Sequence, residues 1–166
     1  FISNDTDANT DANNFVEYDG SVEIIINTID NTVTMSNIDM VVSKIHSKLQ
    51  IKYGSFRDEL PEQKMVIRYL TGNEKVLEIG GNIGRNSLII GHILREQQNN
   101  NFVTLESDPD IGNQLIENRD LNNFTFHVEK SALSKRKLIQ KGWDTIESNV
   151  LLDGYKNVNV ISLEEL

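Results

Sequence analysis

Composition and charge limit the classes of protein to consider. The chain has 166 residues, a formal net charge of −9 and no cysteine. This length suits one domain, and the lack of cysteine excludes disulfides and thiolate metal sites. No apolar run approaches the roughly 18 residues of a membrane helix. We therefore expect a soluble cytoplasmic domain with no membrane contact. The many Asn and Ile residues fit an AT-rich genome such as that of some large DNA viruses or protists, so a viral particle or host cytoplasm is the alternative location.

The acidic charge is concentrated in the first quarter of the chain. Eight of the 25 acidic residues and none of the 16 basic ones precede Lys44. The only basic cluster lies at residues 130–141 and is too short to indicate a nucleic-acid partner. The three histidines do not group with acids at metal-ligand spacing, so no metal site is predicted.

We interpret residues 1–36 as a small acidic N-terminal extension. Residues 1–14 are polar and are typical of a linker or tail. Residues 21–27 and 31–35 favour two strands joined as a hairpin. A second unit over residues 37–166 begins with a helical apolar pattern from Asn37, and a second helix is predicted from Pro61 to Leu70.

A strand followed by glycines is the most informative motif. Residues 76–79 form an apolar run around Glu78, and Gly80, Gly81 and Gly84 lead into a helix predicted over residues 83–98. A strand that ends in glycines before a helix is how α/β proteins hold an anionic or nucleotide-like ligand. A simple tight turn is the alternative.

The glycine spacing and Glu78 narrow the class of ligand that the loop could bind. The spacing does not complete the G-x-G-x-x-G fingerprint of dinucleotide sites. A carboxylate repels a diphosphate but suits a ligand with an ammonium group, and S-adenosylmethionine fits. Glu78 either lies close to that amino group or orders the loop.

A second strand is predicted at residues 102–106, and it ends in Glu106. An acidic residue about 20 positions beyond the glycines is where a ribose diol is held; a solvated loop acid is the alternative. Asp108 and Pro109 are typical of the N-cap and first residue of a helix, predicted to end at Leu121. The alternation over residues 124–129 predicts a third strand.

The last part of the chain is less regular. Residues 135–155 favour no single element, and residues 158–161 indicate a short strand. Within the irregular segment, Trp143 is expected to pack beneath the chain rather than to form an aromatic ligand box.

At four places the chain resembles the FkbM-type family of S-adenosylmethionine-dependent methyltransferases. Residues 77–84 (Leu-Glu-Ile-Gly-Gly-Asn-Ile-Gly) are similar to the first motif of that family, and residues 105–110 to its second-strand motif. Residues 131–134 resemble the loop after its third strand, and residues 161–166 its leucine-acidic-acidic-leucine segment. The resemblance covers about residues 53–166.

The resemblance implies a Rossmann-like methyltransferase sheet with strands in the spatial order third, second, first. Gly80 and Gly81 would line the methionine end of the cofactor, Glu106 would bind the ribose hydroxyls, and Ser131 and Ala132 would border the adenine. Residues 53–62 would lie near the cofactor mouth, unless Tyr53 and Phe56 only pack the helices. The expected cofactor-binding set is Glu78, Gly80, Gly81, Asn82, Gly84, Glu106, Ser131 and Ala132.

The chain also departs from the family pattern. In the family, the segment like residues 161–166 is followed by a fourth strand, and this chain stops at Leu166. We expect an incomplete sheet whose first strand needs further polypeptide or a partner chain, so that residues 1–166 alone are not a stable, active monomer. The base in the family comes from the later half of the sheet, so no catalytic residue is predicted.

The resemblance implies O-methylation of a sugar or another small-molecule hydroxyl, with a glycan or small molecule as acceptor. Two alternatives come from other classes: a catalytically inactive methyltransferase-like structural or assembly module, and a nucleotide-binding oxidoreductase domain. The glycine spacing disfavours the second.

Overall fold

The computed structural model describes residues 13–18, 22–27 and 35–166, which form a mixed α/β arrangement. Within these ranges there are four helices and ten short strands. In chain order they are β1 (Asn13–Tyr18), β2 (Val22–Asn27), α1 (Met35–Lys48), α2 (Leu60–Tyr69), β3 (Val76–Ile79), α3 (Arg85–Glu96), β4 (Phe102–Leu105), α4 (Pro109–Leu121), β5 (His127–Glu129), β6 (Ala132–Leu133), β7 (Leu138–Lys141), β8 (Asp144–Glu147), β9 (Lys156–Val158) and β10 (Val160–Ile161).

The predicted parallel sheet is confirmed. Strands β3, β4 and β5 lie side by side in that order, and both pairings are parallel. The third strand of the sequence therefore lies beside the second, and the second beside the first. Helices α3 and α4 connect the strands, and α4 has the bounds predicted from its Asp108 cap and Pro109.

One face of the parallel sheet carries the hydrophobic core. Alternate residues of a strand point to opposite faces, and Val76 packs on the same side as the buried Phe102 and Val128. Helices α1, α2 and α3 cover this face with aliphatic side chains, and the apolar pattern from Asn37 had predicted the first of these helices. Burial of these groups is the main favourable term in folding. The buried helical residues include Ile38, Val42, Ile45, Ile67, Leu88 and Ile93.

The N-terminal hairpin pairs differently from the prediction. Strand β2 matches the predicted strand at residues 21–27, but its antiparallel partner is β1, which begins inside the segment predicted as a tail. Residues 31–34 of the other predicted strand, and residues 1–12 of the tail, lie outside the described residues. Met35 belongs to α1, so the predicted strand does not extend to it.

The segment after β5 folds into short strands, of which the sequence predicted one, at residues 158–161, where the structure has the end of β9 and β10. Strand β7 is the centre of an antiparallel sheet in the order β8-β7-β9, and β6 pairs in parallel with β10. Trp143 lies in the turn between β7 and β8 and is 85% exposed. The expectation that Trp143 packs beneath this segment was therefore wrong, because a two-residue turn lifts it away from the core.

Strand β3 is an edge of the parallel sheet within the described residues. Its side chains Leu77 and Ile79 point away from the core and are 40% and 64% exposed. An apolar strand with unpaired backbone groups is a template for pairing with another chain. Across the described ranges, none of the helices is both long and apolar enough to cross a membrane.

We propose that further polypeptide or a partner chain completes the sheet at β3, and we expect the 166-residue chain alone to self-associate there. Leu77→Lys should reduce this association, because a charged side chain on an edge strand opposes pairing. Sedimentation velocity over a range of concentrations measures it. Leu121→Lys is the matched control, since Leu121 is 41% exposed but lies at the end of α4. A wild-type chain that stays monomeric throughout would contradict the expectation.

Candidate functional site

A cleft of about 650 Å³ opens at the carboxyl ends of β3 and β4. This volume lies within the usual range for small-molecule sites, and the carboxyl ends of parallel strands are where α/β sheets bind ligands. The glycine loop after β3 and the loop after β4 form its floor. The start of α2 lies on one side of the cleft, and the β7–β8 hairpin lies on another.

The glycine loop is held to the sheet by its own backbone. The N–H groups of Gly80 and Gly81 both donate to the carbonyl of Leu105, at 2.9 and 2.8 Å. Gly80 has φ +80°, and a Cβ atom there would meet nothing within 4 Å. Asn82 also adopts positive φ, 49°, which asparagine tolerates better than most residues. The loop therefore leaves open space above Gly80, beside the cleft floor.

Glu106 joins the two loops that form the floor. Its Oε2 accepts a hydrogen bond from the N–H of Asn82 at 2.9 Å, and its Oε1 accepts one from the N–H of Asp108 at 2.8 Å. A carboxylate offers about four acceptor positions, so these two bonds leave capacity for further donors. The Glu106 carboxylate is thus fixed at the cleft wall in the position predicted for a ribose-binding acid.

Glu78 is the centre of a buried hydrogen-bond network. Its carboxylate accepts from the hydroxyls of Ser87 and Thr104, at 2.5 and 2.7 Å, and from the amide of Asn86 at 3.3 Å. Burial raises the pKa of Glu78, and these three hydrogen bonds offset only part of that rise. These bonds link β3 to β4 and to the first turn of α3, and both roles expected for Glu78 toward the loop or a ligand stay predictions.

The raised pKa of Glu78 predicts how the free energy of unfolding depends on pH. Its stabilising contribution is complete below the pKa of an unfolded glutamate, about 4.3, and is lost as pH rises through the raised folded value. Relative to wild type, Glu78→Gln should therefore gain free energy of unfolding as pH increases above about 4. Urea unfolding from acidic to neutral pH measures this difference.

Glu74 supplies a control in which stability should change with pH in the opposite direction. Although burial raises the pKa of Glu74, hydrogen bonds from Thr71 and Gly72 bring it below the ordinary value. Glu74→Gln should therefore lose stability relative to wild type as pH rises through the acidic range. A Glu78→Gln difference that does not vary with pH would contradict the assigned environment of Glu78.

The segment before α2 reaches the cleft through an ion-pair network. Arg85, at the start of α3, donates to Glu59 at 2.9 Å and to the carbonyl of Ser55 at 3.2 Å. Glu59 also accepts from the side chain of Asn82 at 3.3 Å. Residues 53–62 thus lie near the cleft mouth through Glu59 and Glu62, while Phe56 stacks on His46 with ring centroids 4.6 Å apart. Phe56 therefore packs against α1, Tyr53 bonds to Glu117 of α4, and the nearness of this segment to a cofactor stays a prediction.

Asp108 connects the cleft floor to the strands after β5. It caps α4 by accepting from the N–H of Asp110 at 2.9 Å, and it pairs with Lys156 of β9 at 2.7 Å. Burial raises the pKa of Asp108, but the hydrogen bond from Lys156 and the cap bonds outweigh it and leave the pKa below its ordinary value. Asp108 is therefore a carboxylate at neutral pH, and the sheet of β7, β8 and β9 is anchored beside Glu106.

The structure brings together five of the eight residues predicted to bind a cofactor. Three lie outside the cleft lining and have other contacts. Gly84 forms the turn into α3 with φ +93°, Ser131 donates to Glu129 at 2.6 Å, and the N–H of Ala132 donates to the carbonyl of Asn159 at 2.8 Å. The residues that do line the cleft are Glu78, Gly80, Gly81, Asn82 and Glu106.

Sequence reasoning missed the contribution of the β7–β8 hairpin. Gln140, Gly142, Trp143 and Thr145 all line the cleft. The signal available was weak: a glycine before Trp143 between two short runs, which indicates a two-residue hairpin turn. That signal locates the turn but not the cleft beneath it.

The charged side chains in the described lining of the cleft are all acidic. Five carboxylates line it, and within the described residues its lining includes no lysine, arginine or histidine. Glu59 and Asp108 are paired with cations that approach from outside. Across the described part of the chain, no three His, Asp or Glu side chains are grouped so as to hold a metal ion. The cleft favours a positively charged organic ligand over a phosphate.

Comparison of the chain with protein-family models, with curated proteins and with solved structures gave no match. The case for a function therefore depends on the geometry and charge of this cleft.

Proposed function

We propose that the chain is the S-adenosylmethionine-binding part of a methyltransferase of FkbM type. The observation that carries the proposal is an acidic cleft at the end of a strand–glycine loop–helix unit, with Glu106 at the end of the neighbouring strand. The parallel order of β3, β4 and β5 is compatible with a partial Rossmann-like sheet. The acceptor proposed from the resemblance is a hydroxyl of a sugar or another small molecule.

The residues present fit this cofactor. Its ammonium and sulfonium groups carry positive charge, which suits a cleft lined by carboxylates and lacking cationic side chains among the described lining residues. The open space at Gly80 allows close approach of a ligand to the backbone. The acceptor capacity left on Glu106 suits a pair of ribose hydroxyls.

The position of each residue in the cleft indicates its role toward the cofactor. When bound, the cofactor supplies a methyl group already activated by the sulfonium. The chain itself needs to orient the ligand and exclude water. The glycine loop, held to β4 through the carbonyl of Leu105, offers backbone for the amino-acid end, and Glu106 offers oxygens for the ribose. We assign no catalytic base.

A structural or assembly module is the second candidate, and one observation favours it. Glu78 and Glu106 both have structural partners, since Glu78 orders Ser87 and Thr104 while Glu106 bridges Asn82 and Asp108. A domain without catalysis could therefore retain both acids. Against this candidate, the cleft has the volume of a small-molecule site and an acidic lining.

Isothermal titration calorimetry tests the proposal with S-adenosylhomocysteine and NAD. We expect S-adenosylhomocysteine to bind and NAD not to bind, because the diphosphate of NAD would be repelled by the acidic lining. Binding of NAD alone would favour the oxidoreductase. Absence of binding by either ligand, in a chain shown to be folded by circular dichroism, would favour the structural module.

A further inference from the structure

Gln140 carries a buried acceptor that the protein does not satisfy. Its side chain is 6% exposed, its Nε2 donates to the carbonyl of Gly142 at 3.0 Å, and its Oε1 has no hydrogen-bond partner. Gln140 also lines the cleft. Buried polar atoms are nearly always hydrogen-bonded. This oxygen lacks a donor among the described residues, and because it is enclosed, the Gln140 side chain must turn before a molecule in the cleft can supply one.

Trp143 provides an aromatic surface next to that acceptor. It follows Gly142, which has φ +59° in the two-residue turn between β7 and β8. This turn places the indole over the cleft, where it is one of the lining residues while remaining largely exposed. Large aromatic side chains are usually well buried, and an exposed one beside a cleft offers a face on which a planar ring can stack.

The register of the strands places this pair beside the loop that carries Glu106. Gln140 lies directly opposite Lys156 in the antiparallel pairing of β7 and β9. Opposed residues in such a pair share a face of the sheet, and Lys156 reaches Asp108 at 2.7 Å. Asp108 is itself bonded to Glu106 through its backbone N–H. Gln140 is therefore on the side of the cleft where the ribose acid lies.

We propose that the β7–β8 hairpin is the base-binding wall of the cleft. The Gln140 side chain turns on binding so that its Oε1 accepts a hydrogen bond from the exocyclic amino group of an adenine, and the indole of Trp143 stacks on the ring. This inference rests on the proposed cofactor, and it replaces Ser131 and Ala132 as the adenine-side residues. A nucleobase with an amino donor is the ligand class that both a free carbonyl oxygen and an aromatic face can bind together.

Trp143 is the only tryptophan of the chain, so its fluorescence reports on this site alone. Adenosine and S-adenosylhomocysteine should both quench and shift the emission of the 166-residue chain, while methionine should leave it unchanged. Calorimetry on the same samples measures binding independently of the indole.

Two variants separate a ligand contact from a structural role. Trp143→Ala and Gln140→Met should each weaken adenosine binding by roughly ten-fold or more, because each removes one contact to the base. Gln140→Met should leave the thermal unfolding midpoint equal or higher, since it removes an unsatisfied buried acceptor. Ile146→Ala is the matched control, because Ile146 belongs to β8 but is not in the cleft lining.

The outcomes of these experiments test the hairpin site and the proposed cofactor separately. Calorimetric binding of S-adenosylhomocysteine with no fluorescence change, and with both variants binding as wild type does, would overturn the inference and leave the cofactor in place. A response of Trp143 to adenosine without binding of S-adenosylhomocysteine would support the hairpin site and overturn the cofactor. No response and no binding with any of these ligands would overturn both.

Discussion

Glu106→Ala is expected to weaken binding of S-adenosylhomocysteine by at least ten-fold. The variant loses the proposed contact to the ribose, and a hydrogen bond to a charged group contributes about 1.5–3 kcal/mol, where about 1.4 kcal/mol corresponds to ten-fold in affinity. It also releases the N–H groups of Asn82 and Asp108, so both loops of the cleft floor lose an anchor. Calorimetry measures the affinity, and circular dichroism establishes that the variant is folded.

Fragments of the ligand separate the two causes of this loss. If Glu106 contacts the ribose, adenosine binding should fall more than methionine binding. If it acts only by holding the loops, both fragments should be affected alike. Glu129→Ala is the matched control, because Glu129 lies at the end of the adjacent strand and outside the cleft lining. Unchanged affinity in a folded Glu106→Ala variant would remove Glu106 from the site.

Elements with strong local signals could be predicted from the sequence alone. Helix α4 has the predicted bounds because Asp108 and Pro109 mark its start through capping and a fixed φ angle. The parallel direction of β3, β4 and β5 follows from strand–helix alternation, since parallel neighbours need a crossover between them, whereas their spatial order was implied by the family resemblance. The glycine loop and Glu106 converge because the carboxyl ends of adjacent parallel strands lie together.

Features that depend on contacts distant in sequence could not be predicted. The role of Glu78 is decided by Ser87 and Thr104, which belong to two other elements, and no local pattern links them to it. The observed partner of β2, which is β1, and the predicted partner at residues 31–35 are both separated from it by three residues, so spacing does not distinguish them. The β7–β8 hairpin is joined to the cleft by contacts such as the pairing of Lys156 with Asp108, across 48 positions.

Gly81→Ala is expected to lower the free energy of unfolding by about 1–3 kcal/mol, the usual cost of overpacking a filled site. A Cβ atom at this position would lie 2.3 Å from Thr104 Oγ1 and 2.8 Å from Leu115 Cδ1. Neither neighbour can move freely, because Leu115 is fully buried and Thr104 donates to Glu78. Urea unfolding measures the loss, and we expect S-adenosylhomocysteine binding to weaken with it because the loop must shift.

A double-mutant cycle with Thr104→Ala separates the steric cause from loss of glycine flexibility. Removing Thr104 Oγ1 eliminates the closest clash, so the double variant should be more stable than the sum of the two single effects predicts. Gly80→Ala is the matched control. Its Cβ would meet nothing within 4 Å, but its φ of +80° carries the left-handed cost of about 1–2 kcal/mol, and that cost should add to the Thr104→Ala effect without coupling. A Gly81→Ala variant as stable as wild type, or additivity in both cycles, would contradict the close packing of the glycine loop against β4 and α4.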